Sequence, residues 1–272
     1  MRISALLTPL LWLLACQQAP GGANAVKAPS VANSSTDPSA PVPAAAVSPA
    51  KPSGAQPMPQ PIVVDVWHDT VCPWCRIGLH NVEAAAVAAN VAIELRLHPY
   101  QLDPDTPPEG RDLRAWLTAR YGGAQIDAMF ARVTQVGAAA GVHFDFAKVR
   151  RGPNTLLSHA TIGAAPTAVR DRYVNALHAA YFERGEDIGD VAVLAGIADA
   201  AGWSGDVVRA LATDATALER VRADAAGAGA LGIRGVPHVQ IGGETLHGAQ
   251  PVAAFAAALQ KAANSASHGE PR

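Results

Sequence analysis

Two of the three cysteines in this 272-residue chain stand three positions apart, Cys72 and Cys75 in the stretch VVDVWHDTVCPWCRIG. A pair with this spacing suits thiol–disulfide exchange, half of a metal site, or no chemistry at all. A disulfide that closes so small a loop contributes little to stability, so a structural crosslink is a poor explanation for the pair. The elements around the cysteines have to distinguish among the alternatives.

The cysteines follow a predicted buried strand, Ile62 to Trp67, and begin a predicted helix with Pro73 in its first turn. Unpaired backbone N–H groups and the positive end of the helix dipole favour the thiolate form of a cysteine at this position. We therefore expect Cys72 to be an exposed attacking thiol and Cys75, one turn later, to be the resolving thiol. Arg76, next to the pair, is either a further stabilising charge or a solvated side chain.

A zinc site would need two ligands beyond the pair, usually a second cysteine pair or two histidines. No further cysteine follows, and His68 and His80 flank the motif without a recognisable ligand spacing. We therefore expect no metal, and no cofactor other than the redox-active disulfide that Cys72 and Cys75 can form. A coincidental pair of core cysteines is the remaining alternative.

Periodicity predicts a β-α-β unit, a long block of helices, and then two strands and a final helix. The first helix leads into a strand from Val91 to Leu97, and helices alone are expected from about 103 to 230. The strands Pro237 to Ile241 and Glu244 to Leu246 flank Gly242-Gly243, which is typical of a hairpin. Shorter helices in the block are expected at Val191 to Ala201, at Gly205 to Ala212 with Ser204 as cap, and at Thr216 to Ala226. This is an α/β architecture in the order of the thioredoxin fold, with a large all-helical insertion.

The N-terminal sixty residues differ in composition from the rest. Residues 1–15, MRISALLTPLLWLLA, carry one early arginine and a short apolar run, which is typical of an export signal. The run ends at Cys16 in a pattern that resembles the lipobox of bacterial lipoproteins, so Cys16 is the expected lipidation site; an ordinary cleaved signal is the alternative. Residues 16–60 are rich in Ala, Pro and Ser and predict a disordered tether. Because Gln17 and Gln18 replace the usual aspartate retention cue, outer-membrane sorting is mildly favoured in a Gram-negative host.

Residues 61–265 are globular in composition and are expected to form one domain. Its final helix is expected from Pro251 to Ala262, and residues 266–272 are expected to be a frayed tail. The formal net charge is −2 and no cluster of basic residues is interleaved with aromatic ones, which argues against nucleic-acid binding. No separate dimerisation segment is visible, so a monomer is expected.

Five motifs span the folded part: CPWC at 72–75 with Gly78, HPYQLDPDTPPEGRDL at 98–113, PNTLLSH at 153–159, GIRGVPHV at 232–239 and HGAQP at 247–251. On these residues the chain resembles the DsbA family of thioredoxin-fold oxidoreductases, in the FrnE-like branch near the 2-hydroxychromene-2-carboxylate isomerases. The resemblance implies Cys72 as nucleophile, Cys75 as resolving thiol and a cis peptide bond before Pro237. Two positions depart from the branch, because Arg76 and His238 stand where aromatic residues are common. The lipobox and tether are not general features of the branch either.

Further residues are expected to have supporting roles near the thiols. The backbone of Val236, before Pro237, is expected to pair with an extended substrate, and Trp74 is expected to shape the lip of the groove. Asp69 is expected either to relay the proton of Cys75 or to form hydrogen bonds within its loop.

Three further residues belong to the PNTLLSH motif. Asn154 and Thr155 resemble an Asn-Thr pair that faces the active site in this family, although Asn154 also suits a helix cap. His159 either shares that face or packs in the interior. Three large aromatic residues are expected in the core: Trp116, Tyr173 and Tyr181.

The leading functional hypothesis is an extracytoplasmic, envelope-anchored thiol–disulfide oxidoreductase that exchanges disulfides with exported proteins and with an unidentified redox partner. A glutathione-dependent isomerase or transferase of a small molecule is the second, although such enzymes typically use a single serine or cysteine. A non-catalytic tethered binder or chaperone that uses the groove at Val236 and Pro237 is the third.

Overall fold

The computed structural model describes residues 60–267. The predicted signal segment at 1–15, the predicted lipidation site Cys16 and the tether up to residue 59 lie outside the described residues, as do residues 268–272.

The centre of the fold is a sheet of four strands, β1 (Ile62–His68), β2 (Ile93–Pro99), β5 (His238–Ile241) and β6 (Glu244–His247). Their order across the sheet is β2-β1-β5-β6. β2 is parallel to β1 and is connected to it by α1 (Pro73–Ala89), whereas β5 and β6 are antiparallel to their neighbours. Gly242 and Gly243 have φ values of 54° and 88°, so the predicted hairpin turn uses a backbone conformation that suits glycine. The predicted β-α-β and β-β units are confirmed.

The segment between β2 and β5 is mainly helical, as predicted. Its helices are α2 (Leu113–Tyr121), α3 (Gly123–Ala139), α4 (Leu156–Ala164), α5 (Thr167–Ala179), α6 (Val191–Ala201), α7 (Gly205–Leu211) and α8 (Ala215–Gly227). A π-helical turn, Ala180–Arg184, extends α5, and a 3-10 turn, Ala228–Leu231, follows α8. The prediction of helices alone is wrong at one place, where β3 (Arg111–Asp112) and β4 (Arg151–Gly152) form a short antiparallel ribbon. Strands of two residues are too short to show a period in the sequence.

Several of these helices begin at a side-chain cap. Asp112, Asp190, Ser204 and Asp214 accept hydrogen bonds from backbone N–H groups in the first turns of α2, α6, α7 and α8. The cap at Ser204 confirms the predicted start of that helix. At the other end of the chain, α9 (Val252–Ser267) continues past the predicted end at Ala262. Residues 266 and 267 therefore belong to the helix rather than to a frayed tail.

α9 packs on α1 and on strands β1 and β5. Phe255 and Leu259 of α9 are fully buried in the same core cluster as Val64 and Val66 of β1. Burial of each such side chain contributes on the order of 1.5–3 kcal/mol. This packing holds the first turn of α1 at the end of β1, which is where the two cysteines lie.

Within residues 60–267 no helix is both long enough and apolar enough to cross a membrane.

Candidate active site

Cys72 and Cys75 lie where β1 is followed by α1. Cys72 is the N-cap residue of α1, with extended backbone (φ −85°, ψ 113°), and Pro73 opens the helix. The carbonyl of Cys72 accepts the backbone N–H groups of Cys75 and Arg76 at 3.1 and 3.3 Å. No side chain caps this helix end. The N–H groups of the first turn are therefore available to an anion at the Cys72 position.

Both cysteines are free thiols, and both are buried. Cys72 is 3% exposed and Cys75 is 0% exposed, so the expectation of an exposed attacking thiol is wrong. Cys72 is covered partly by the loop before β5, because its S–H group donates to the carbonyl oxygen of Val236 at 3.9 Å. Little of the Cys72 side chain therefore faces solvent.

Burial raises the pKa of the Cys75 thiol well above its usual value of 9.0. The hydrogen bond to Cys72 and the charges of Cys72 and Asp69 act in the same direction, whereas a hydrogen bond with the backbone of Asp69 opposes them. The protonated form of Cys75 is therefore favoured at neutral pH.

The loop before β5 packs directly on the cysteine helix. The Val236–Pro237 peptide bond is cis, which confirms the expectation from the resemblance. Gly78 allows the close approach, since a Cβ at this position would lie 2.8 Å from Cγ of Pro237. The carbonyl of Pro237 in turn accepts the N–H of Gly248 at 2.8 Å. The helix that carries the two cysteines, the proline loop and the turn after β6 are thus held together.

Trp74, which is expected to shape the lip of the groove, packs in the interior. Its side chain is 5% exposed and belongs to the core cluster. α1 is packed by α9 on one part of its surface and by α3 of the insertion on another, which leaves little of its first turn facing solvent.

A cavity of about 870 Å³ opens beside the cysteines, between the end of β1 and the helical insertion. Val71 and Pro73, which flank Cys72, form part of its wall, and aromatic side chains of the insertion form another part. Trp116 lines this cavity half-buried, with the guanidinium groups of Arg111 and Arg120 5.0 and 5.4 Å from its ring. The expectation that Trp116 lies in the core is therefore wrong. The expectation for Tyr173 and Tyr181 is confirmed, since both are buried.

Asp69 and His159 meet in the interior near Cys75. Asp69 is 1% exposed; its Oδ2 accepts the N–H of Leu102 at 2.8 Å, and its Oδ1 lies 3.4 Å from Nε2 of His159. The carboxylate thus holds its own loop and also acts electrostatically on Cys75. His159, on α4, is 4% exposed, so it combines the two expectations, being both buried and directed at the active-site loop.

Two further buried histidines surround this pair, and sequence reasoning did not assign them to the site. His68 ends β1, and its ring lies edge-on to His159 with centroids 5.2 Å apart. Burial, followed by the neighbouring histidines, lowers its pKa well below 6.5. Burial, followed by the Arg76 charge, lowers the pKa of His178 to about 3. The sequence could have indicated a place for His68 in the site, because it directly precedes Asp69. No motif or spacing in the sequence indicates that His178 lies there.

Asn154 and Thr155 sit at the start of α4, where the insertion meets the active-site side of the fold. Asn154 donates to the carbonyl of Thr106 at 2.6 Å and accepts the N–H of Leu156 at 3.0 Å. Thr155 lines the cavity, and its carbonyl accepts the hydroxyl of Ser158 at 2.9 Å. Asn154 therefore supports the first turn of α4, and Thr155 faces the active-site side of the insertion.

The guanidinium group of Arg76 contacts residues of the helical insertion. Its guanidinium forms an ion pair with Glu183, donates to the carbonyl of His143 at 2.6 Å and lies over the ring of Phe144. The side chain is 12% exposed, so the solvated alternative is wrong. The contacts also argue against a role in stabilising the thiolate, because Glu183 on the insertion already compensates the charge.

His238, which replaces an aromatic residue after Pro237, packs as an aromatic residue would. It is 6% exposed and lies edge-on to Trp67 and His247, with centroids 5.4 and 4.9 Å away. Burial and then the His247 charge lower its pKa.

Across the part of the chain that the structure describes, no group of three or more His, Cys, Asp or Glu side chains is arranged to hold a metal ion.

The DSBA-like thioredoxin domain family matches residues 63–260 of the sequence. No curated protein matches it. Among solved structures, the fold is similar to a protein from Streptomyces coelicolor described as a probable DsbA oxidoreductase, at 27% identity and a TM-score of 0.68, covering 78% of this chain and 92% of that one.

Two other solved structures share the fold at lower identity. A 2-hydroxychromene-2-carboxylate isomerase is 15% identical with a TM-score of 0.58, covering 77% of this chain and 100% of that one. The cytosolic disulfide reductase DsbM from Pseudomonas aeruginosa, solved with glutathione, is 18% identical with a TM-score of 0.50, covering 76% and 96%.

Proposed function

Since this chain belongs to the DSBA-like thioredoxin domain family, we propose that it is a thiol–disulfide oxidoreductase that exchanges disulfides with protein substrates. The observation that carries the proposal is the position of Cys72, which caps α1 and whose Sγ lies 3.9 Å from the carbonyl of Val236. A cysteine at a helix N-terminus favours the thiolate, and an adjoining loop offers backbone groups to an extended chain.

The proposed reaction uses both cysteines. The thiolate of Cys72 attacks a substrate disulfide, one substrate sulfur leaves as a thiolate, and a mixed disulfide forms. Cys75 then loses its proton and attacks Sγ of Cys72, which forms the Cys72–Cys75 disulfide and releases the second substrate thiolate. The reverse sequence donates that disulfide to a substrate dithiol. Asp69 accepts the proton of Cys75 in the first direction and returns it in the second.

The substrate contacts proposed here are mainly backbone contacts. Val236 and Pro237 bind an extended peptide by strand-like pairing next to Cys72. Because Trp74 is buried, it acts on this groove through the packing of the first turn of α1.

We place the enzyme outside the cytoplasm, anchored in the cell envelope through a lipid on Cys16 and facing the periplasm at the end of the tether up to residue 60. Its partners in this proposal are exported protein thiols and a redox partner in the same compartment, and it acts as a monomer that binds no nucleic acid. Incorporation of labelled palmitate, lost on Cys16→Ala, supports the anchor; incorporation that persists in the variant contradicts it.

The first measurement is the reduction potential of the Cys72–Cys75 pair in the full chain, equilibrated against glutathione buffers and read by the mass added on alkylation. A reversible two-electron couple is expected between about −270 and −120 mV, and its value sets the net direction of exchange. Cys72→Ser should abolish the couple and dithiol exchange. Exchange that survives Cys72→Ser would falsify the assignment, and binding of client proteins that survives loss of both cysteines would favour a non-catalytic binder or chaperone.

One observation favours the second candidate, a glutathione-dependent isomerase or transferase. The cavity beside Cys72, at about 870 Å³, is within the range of small-molecule sites and has an aromatic wall. Calorimetry with glutathione, together with an exchange assay, separates the two functions. Saturable binding of glutathione without thiol–disulfide exchange supports the isomerase hypothesis. Exchange without saturable binding supports the oxidoreductase hypothesis.

A further inference from the structure

The proton of Cys75 needs an internal acceptor. The thiol is 0% exposed, so bulk water does not reach it directly. Its pKa is raised first by burial and also by the charge of Asp69. A thiolate at Cys75 beside an ionised Asp69 would place two negative charges in one buried site, which is unfavourable unless the released proton stays close to both.

The geometry identifies where that proton can stay. Asp69 Oδ2 is committed to the N–H of Leu102, whereas Oδ1 faces Nε2 of His159 at 3.4 Å. Within residues 60–267, neither Asp69 Oδ1 nor His159 Nε2 has a hydrogen-bond partner. Buried polar atoms are rarely left unpaired, and two that face each other beside a reactive thiol form a place where a proton can be shared.

The other titratable and charged groups around the pair do not offer an alternative. His68 on β1 and His178 on α5 are held neutral, because burial lowers the pKa of each. Burial and the Asp69 charge raise the pKa values of Tyr100 and Tyr181, so both phenols keep their protons. Arg76 on α1, whose charge acts on His178, is paired with Glu183.

We propose, on the premise of the oxidoreductase function, that His159 is a positioning residue that acts through Asp69, sharing the proton that Cys75 releases. In the resolving step the proton leaves Sγ of Cys75 for Asp69 Oδ1 and is held between this oxygen and His159 Nε2. The Cys75 sulfur forms its bond to Sγ of Cys72, and the bond from Cys72 to the substrate sulfur breaks with its electron pair on the substrate. In the reverse direction the couple returns the proton to Cys75 as it leaves. A residue of the helical insertion thereby takes part in chemistry on the thioredoxin part of the fold.

The test uses the full chain in a Cys16→Ser background, so that two thiols remain, and stopped-flow reaction with dithiobis-nitrobenzoate. The first release of nitrothiobenzoate reports attack by Cys72, and the second reports displacement by Cys75. His159→Gln should slow the second release by about tenfold or more, and flatten its pH profile, while the first changes by less than about twofold. His143→Gln is the matched control: it makes the same substitution at an exposed histidine outside the active site and should leave the second release and its pH profile unchanged.

A second release in His159→Gln with the rate and pH profile of the parent chain overturns the inference. If His159→Gln does not fold, NMR titration of the His159 ring in the folded parent and in Cys75→Ala replaces the kinetics. A titration midpoint that moves on loss of Cys75 supports coupling, and identical curves overturn it. A parent chain with no second release defeats the oxidoreductase function itself, which distinguishes that failure from failure of the inference.

Discussion

Gly78→Ala tests the contact that holds the proline loop against the cysteine helix. The new Cβ would lie 2.8 Å from Cγ of Pro237 and 3.4 Å from its Cβ, whereas carbon atoms pack best at about 3.5–4.0 Å. The helix and the loop must therefore separate by about 0.7 Å or more, since a proline ring cannot rotate out of the way. Overpacking of this kind costs about 1–3 kcal/mol, while alanine gains about 1 kcal/mol over glycine in a helix. Because the contact is well inside the packing distance, we expect a net loss of about 1–2 kcal/mol.

The assay is urea unfolding of the full chain, with Gly196→Ala as the matched control. Gly196 lies within α6, and nothing lies within 4 Å of the Cβ that the substitution would add. This control should be stabilised by about 0.5–1 kcal/mol. The separation of Cys72 from Val236 should also slow exchange with protein substrates in Gly78→Ala and leave it unchanged in Gly196→Ala. A Gly78→Ala chain as stable and as active as the control would show that the helix and the loop do not meet as described.

Two other predictions concern the charged and titratable side chains near the site. His178 has a pKa of about 3 in the folded chain and a usual value of 6.5, so the unfolded chain binds more protons between these values and stability falls as the pH falls through this window. His178→Gln should reduce the pH slope of the unfolding free energy by up to about 1.4 kcal/mol per pH unit; urea midpoints between neutral and mildly acidic pH check this, and an unchanged slope would contradict it. Arg76→Met should lower the unfolding free energy by about 1–3 kcal/mol, because it leaves the partly buried Glu183 without its partner, yet alter the alkylation rate of Cys72 by less than about twofold. A large fall in that alkylation rate would restore a role for Arg76 in stabilising the thiolate.

The parts of the site that were predictable are those encoded by neighbours in the sequence. Cys72 and Cys75 follow a strand and open a helix, and this follows from the apolar run before them and from Pro73. The cis bond before Pro237 was expected from the resemblance, because the surrounding motif belongs to a known order of elements.

The expectations that failed depend on packing between distant segments. Cys72 is expected to be exposed from its place at a helix start alone, but it is buried where α1 meets other elements. From the sequence, Arg76 could be a charge beside the thiols, but its guanidinium group forms an ion pair with Glu183 on the insertion. The residues next to a position in the sequence indicate where a helix begins and ends. They do not indicate which other elements pack on it.

The sequence by itself therefore determined the element order, the cysteine pair at a helix N-terminus and the family, because periodicity, caps and motifs are local properties of the chain. Only the tertiary structure decided which polar groups lie in the interior. Asp69 and His159 come from segments far apart in sequence, and they meet because the helical insertion packs over the end of β1. The side chain that lies beside the buried carboxylate of Asp69 is set by that packing, and so is the group proposed to share the proton of Cys75.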